Sequence, residues 1–199
     1  MLFLFSKFKQ RKWKKYSPDK RLRILQALEN KMAKKQHREA VPVRVKDTPN
    51  WNCYGMFSIN NGEKMIYVNE ELLYNDKLRF HALETIIHEG RHAYQYIIVQ
   101  KNLHWYNFKE KRWKKNWQNY FTSSEDRIMY NNQAIERDAQ SYTIKKLKRL
   151  EYKYRNEDDF YNTLRANTYR FENAEDDARK KYGIFYKLKI NRNVKNKNK

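Results

Sequence analysis

Residues 77–99 read KLRFHALETIIHEGRHAYQYIIV. Apolar or small residues fall at Leu83, Ile86, Ile87, Gly90, Ala93 and Ile97, an i, i+3, i+4 stripe that predicts a helix anchored by one face. Inside it stands His88-Glu89-Gly90-Arg91-His92, an HExxH pentapeptide. Histidines four apart lie one turn apart on the same helical face, so their imidazoles can grip one Zn²⁺ from a single rigid element. The Glu89 carboxylate points toward that side. It is placed to take a proton from a metal-bound water, whose pKa zinc lowers to roughly 7. Such spacing suits metal-assisted hydrolysis of a peptide bond. The same pentapeptide also arises by chance on exposed helices. Here His88 and His92 sit beside the apolar stripe rather than opposite it, which puts a metal in a cleft against the core. Gly90 costs about 1 kcal/mol relative to alanine in a helix interior, and makes sense if another backbone packs close to it.

A catalytic zinc site needs a third protein ligand and a fourth position open to water. Asn132 to Gln140 opens a second helical stretch, expected to continue to about Tyr154. Glu136 and Asp138 are about 200° apart on a helix, so both cannot face the metal. Glu136 is the expected ligand, with Ala139 one turn later leaving room for the first helix. Asp138 is the alternative ligand, or an acceptor for an imidazole N–H.

Helix-borne HExxH followed by a helical glutamate resembles the zincin metallopeptidases of the glutamate (gluzincin) type. The stretches Leu83–Gln95 and Gln133–Ala139 look like the small HExxH domains of Firmicutes phage, plasmid and polymorphic-toxin proteins. The resemblance covers roughly residues 17 to 150. It implies a zinc-dependent hydrolase fold, with His88, His92 and Glu136 as metal ligands and Glu89 as base. The chain departs from the thermolysin form in two ways: Glu136 lies 44 residues after His92, and Gln140 stands where an Asp would follow. A toxin- or effector-like role comes with the resemblance only.

With 199 residues and 40% hydrophobic content, one domain can build a sizeable core. The single cysteine, Cys53, excludes an internal disulfide framework and a Cys-based zinc site. No apolar stretch approaches the ~20 residues that span a bilayer. Met1–Phe5 is apolar but too short for a signal h-region, and its basic residues follow it, so a cytoplasmic location is expected.

The net charge of +21 concentrates in Lys7–Lys15, Lys109–Lys115, Lys145–Arg155 and the tail after Asp177. Basic patches interleaved with aromatics suit nucleic acid, an anionic surface or an acidic protein. The tryptophans between 105 and 117 read better as core than as base-stacking platforms. An interfacial helix formed by the apolar start and the Lys7–Lys15 run is a minor reading. Two rivals to a peptidase follow: a basic nucleic-acid-associated protein with a structural or vestigial metal site, and a pseudo-enzyme whose metal only fixes the fold.

Along the chain, residues 1–16 read as a loosely ordered basic leader, 17–183 as the zincin-like domain and 184–199 as a basic tail, disordered from Asn191. Ser17-Pro18-Asp19 is a helix start, and that helix ends near Gln36 with Leu22, Ile24 or Leu25, Leu28 and Met32 on its apolar side. Val41–Val45 alternates, with Pro42 arguing for an edge strand. Tyr54–Ile59 and Lys64–Asn69 form a hairpin around Asn60-Asn61-Gly62-Glu63. Lys101–Ser124, rich in aromatics and lysine, is a candidate wall or lid that includes a short helix. Residues 157–181 form a last helix, opened by acids suited to its dipole and ended by Gly183. The expected class is α+β: a small sheet, the HExxH helix, then a helical half. Among other candidates, His104 and Tyr142 can stabilise an oxyanion. Glu84 can orient His88. Arg91 can pair with Glu84 or Gln95, and His81 is a surface or cleft-rim group.

Overall fold

The computed structural model describes residues 2–46, 53–101, 107–184 and 186–187. The fold is α+β, a three-stranded sheet among helices. In chain order the helices are α1 (Leu2–Phe5), α2 (Gln10–Trp13), α3 (Pro18–Lys35), α4 (Glu71–Tyr74), α5 (Arg79–Gln100), α6 (Phe108–Gln118), α7 (Arg127–Asn132), α8 (Ala134–Lys148) and α9 (Asp158–Tyr182). The strands are β1 (Val43–Lys46), β2 (Gly55–Asn60) and β3 (Glu63–Asn69). The chain divides into two compact units, residues 1–94 with 142–165, and residues 95–141 with 166–199.

In the first unit, local signals act where the sequence places them. The Ser17 hydroxyl caps α3 by accepting from the Lys20 N–H, with Pro18 as first helical residue. The sheet order is β1-β3-β2, with β1 parallel to β3 and β2 antiparallel to it. Asn61 and Gly62 turn the hairpin with φ of 50° and 84°, the left-handed pair that a two-residue type I′ turn demands. Ile66 and Val68 face the core from β3.

Two expectations need correction here. Residues 2–16 are not a loose leader. They coil through α1, a 3₁₀ turn and α2, and bury Phe5, Phe8 and Trp13, with Phe8 stacked on Trp13 at 5.0 Å. Long-range polar ties hold them. The Tyr154 hydroxyl donates to the Phe5 carbonyl. Arg21, itself buried, donates to the Trp13 carbonyl at 3.0 Å and to the Leu73 carbonyl at 2.7 Å, and pairs with Asp76. Phe5, Phe8 and Trp13 are therefore turned into the core rather than outward. Secondly, α5 is not anchored by one face. From Ala82 to Ala93 only His88 and Arg91 are more than marginally exposed, so this is an enclosed helix.

Gly90 gives the reason for its own presence. A Cβ there would lie 2.7 Å from Met32 Cε and 2.8 Å from Glu29 Oε2 of α3. Glu29 is fully buried and held by a two-pronged Arg38 guanidinium, which also donates to the Gly90 carbonyl at 2.9 Å. At the start of α5, Arg79 takes Glu157 and Asp159 at 2.7 and 2.6 Å. The acids expected to serve the α9 dipole therefore serve a buried arginine as well.

In the second unit, α6 opens with a capping box between Asn107 and Glu110. The stretch expected as one helix from Asn132 is interrupted. Gln133 is extended, α8 begins at Ala134 and stops at Lys148, and Glu151–Lys153 is a 3₁₀ turn. Trp113 is buried, as a core tryptophan, and Trp117 is half-buried between Tyr96 and Tyr120. Trp105, His104 and the tail from Asn191 lie outside the described residues.

Candidate metal centre

The two histidines converge as their i, i+4 spacing requires. His88 Nε2 and His92 Nε2 are 3.0 Å apart, with ring centroids 4.7 Å apart. His92 is buried and His88 half-buried. Glu89, 9% exposed, turns its carboxylate toward the sheet, where Oε2 accepts the Phe57 N–H of β2 at 2.7 Å. Phe57 pairs with β3 from its other side, so this N–H belongs to the outer edge of β2. Gly55 lets the strand come that close. A Cβ at Gly55 would strike Thr85 Cγ2 and lie 3.4 Å from Glu89 Cγ. The sequence motif fixes the register of the histidines along α5. It carries no signal for Phe57 or Gly55, whose roles depend on a strand more than thirty residues away.

Glu136 occupies the first turn of α8, where an acid suits the positive end of the dipole. It is almost fully buried, and its Oε1 accepts the Tyr120 hydroxyl at 2.6 Å. Burial, then the charge of Glu136, then Tyr130, raise the Tyr120 pKa far above the phenol range, so Tyr120 stays a donor. Its ring is stacked on Trp117 and meets Tyr130 edge-on. The start of α8 is pinned by an amide pair, Gln133 buried and Asn116 half-buried. Gln133 Oε1 accepts from Asn116 Nδ2 at 2.9 Å and from the Phe121 N–H at 2.7 Å, while Asn116 Oδ1 accepts the Ile135 N–H at 3.0 Å.

Asp138, the alternative ligand, has Oδ2 on the amide of Gln95 at 2.9 Å and Oδ1 on Lys109. Gln95 also donates to the Ile135 carbonyl at 2.9 Å. Sequence reading missed Tyr120 and Asn116, and the contacts made by Gln95 and Gln133. Each acts through a partner distant in the chain.

The remaining candidates have identifiable contacts. Glu84 lies 3.4 Å from His81 Nδ1, and the His81 ring packs on Tyr54. Arg91 lies over the rings of Tyr94 and Tyr142 at 4.5 and 4.9 Å, a cation–π arrangement. The Tyr142 hydroxyl accepts from Gln36 at 3.4 Å.

Among the described residues, one group of metal-ligating side chains has the reach to share an ion. His88, His92 and Glu136 each offer one ligand atom, and these atoms all lie within 4.8 Å of one another. Tetrahedral bonds of about 2.0–2.1 Å would separate two donors by about 3.3 Å, so the imidazole spacing fits a shared metal. No protein-family model, curated protein or solved structure matches this chain.

Proposed function

We propose that this chain is a zinc-dependent metallopeptidase in which His88, His92 and Glu136 hold the ion and Glu89 is the general base. The observation that carries the reading is the donor set. Two imidazoles and one carboxylate lie within reach of one ion, and Glu89 follows the first histidine in the chain. Two histidines and a glutamate with a fourth position open are a catalytic rather than a structural zinc set. The bound ion would supply Lewis acidity, polarising a peptide carbonyl and lowering the pKa of water to about 7.

The chain's own groups then divide the work. Glu89 rests one oxygen on the Phe57 N–H, which orients the other for the attacking water. It takes that water's proton and returns it to the leaving nitrogen. Tyr120 holds Glu136 in one orientation. The order of a small sheet followed by the HExxH helix supports a zincin-like, gluzincin-type reading. A toxin- or effector-like role and a cytoplasmic site of action go with it. No helix among the described residues is long and apolar enough to cross a membrane.

The test is elemental analysis of protein purified without metal-affinity resin, beside His92→Ala. About one zinc per chain in the wild type and none in the variant is the expected result. Folded wild-type protein that takes up no metal would overturn the reading. Glu89→Gln should then keep the metal and slow hydrolysis of fluorescein-labelled casein by about 100-fold or more. Wild-type rates in that variant would remove Glu89 from the chemistry.

A further inference from the structure

A second feature of the first unit is independent of the metal ligands. Two basic runs well over a hundred residues apart, Lys7–Lys15 and Lys145–Arg155, meet at one cavity of about 590 Å³. Lys9, Arg11 and Lys12 line it from the first run, and Lys153 and Arg155 from the second. The meeting has a structural cause. The Tyr154 side chain is buried against Phe80 and Phe160, and its hydroxyl donates to the Phe5 carbonyl. Its neighbours in the chain, Lys153 and Arg155, are thereby held beside residues 6–12.

One carboxylate reaches this cavity, Glu157, and it is already engaged by Arg79 at 2.7 Å and by the Gln10 N–H at 3.4 Å. Lys9, Arg11, Lys12 and Arg155 form no ion pair among the described residues. Burial, then the like charges of Lys9 and Lys12, depress the Lys153 ammonium below its usual pKa, the mark of a cluster that an anion would relieve. Tyr152 stands at the rim with 65% of its surface exposed.

We infer that this cavity binds the phosphodiester backbone of a single-stranded nucleic acid, with Tyr152 stacking on a base. Converging cations that flank an exposed aromatic are what such a strand needs, because phosphates supply the charge and every base has a face to stack. A membrane is a poorer occupant. The site is concave, and the apolar groups next to it, Phe5, Phe8 and Trp13, are buried in the core.

The test is fluorescence anisotropy of a labelled oligothymidylate with the full chain at several salt concentrations. Since a chain of charge +21 attracts any polyanion, the comparison is between two triple variants of equal charge change. Lys9→Gln/Lys12→Gln/Arg155→Gln should weaken binding about tenfold or more and reduce the log–log salt slope by about 2, since each lost phosphate contact is worth about 0.7 on single strands. Lys20→Gln/Lys34→Gln/Lys35→Gln, exposed positions outside the cavity, should cost less than about threefold. Tyr152→Ala should weaken the single strand about fivefold or more and leave a duplex unaffected. Because Tyr152 is exposed, this variant tests the site even if the cavity triple fails to fold. Equal losses in the two triples would reduce the effect to net charge and overturn the proposal. So would a cavity triple that loses phosphatidylserine-vesicle binding more than oligonucleotide binding, or full competition by inorganic phosphate, which would mark a small-anion site. Glu89→Gln should bind the oligonucleotide as the wild type does.

Discussion

Tyr120 makes a hydrogen bond with large leverage. It donates to the Glu136 oxygen, and its ring is fixed by Trp117 and Tyr130, so the phenol holds the carboxylate at one angle. Tyr120→Phe keeps the ring and deletes the donor. With Glu136 holding zinc as proposed, it should weaken zinc binding by about 10- to 100-fold in a chelator competition, the range for groups that orient a metal ligand. The melting temperature should move little, because one hydrogen bond contributes about 1 kcal/mol. At this scale the sequence was partly legible. The approach of His88 to His92 could be read because it is local to one helix. Glu136 required a choice that two carboxylates 200° apart left open. Tyr120 and the Phe57 N–H could not be read, because a backbone donor and an isolated tyrosine leave no pattern in a linear chain.

Among the elements, α5 shows where a periodic pattern misleads. Its apolar residues describe one stripe, yet Glu84, Glu89, His92 and Gln95 are buried too, each beside a polar partner. Polarity predicts exposure only when the polar group has nothing to bind inside. Helix starts and the hairpin were legible because Ser17-Pro18 and Asn61-Gly62 act through their own backbone angles. The break at Gln133 was not, since that amide binds Asn116 and Phe121 of other segments.

Gly90 offers the sharpest test of how α5 is seated. Alanine should gain about 1 kcal/mol of helix propensity. Its Cβ would press on Glu29 Oε2, which Arg38 prevents from yielding. Gly90→Ala should therefore lower stability by about 1–3 kcal/mol in denaturant titration. A stabilised variant would mean that α3 can back away. Glu29→Ala, which leaves the Arg38 guanidinium buried without its carboxylate, should cost about 3–5 kcal/mol.

For the whole molecule, charge is the dominant unpaired quantity. A chain of net charge +21 repels itself, and adding salt should raise its melting temperature through screening. A local exception lies in the second unit, where Lys187 and Tyr186, opposed by partial burial, hold the Glu175 carboxyl down at about 2. A depressed carboxylate contributes stability that is complete above its unfolded pKa of about 4.5 and is lost as pH falls toward 2. Thermal melts of wild type and Glu175→Gln should differ at pH 6 by less than about 1 kcal/mol, since the pair is solvent-screened, and converge near pH 2. A gap that widens on acidification would reverse the sign of that assignment.

The docking of residues 5–16 has a practical corollary. Six of the nine positions from Lys7 to Lys15 are lysine or arginine, a run that trypsin would cut at once in a loose leader. Here the run is bracketed by Phe5, Phe8 and Trp13 in the core, and by the Tyr154 and Arg21 contacts to its backbone. Brief digestion of the native protein should leave the run joined to the rest of the chain. Loss of Trp13 by substitution with alanine, a change of about 3–5 kcal/mol for a buried aromatic, should turn the same stretch into the first site of cleavage.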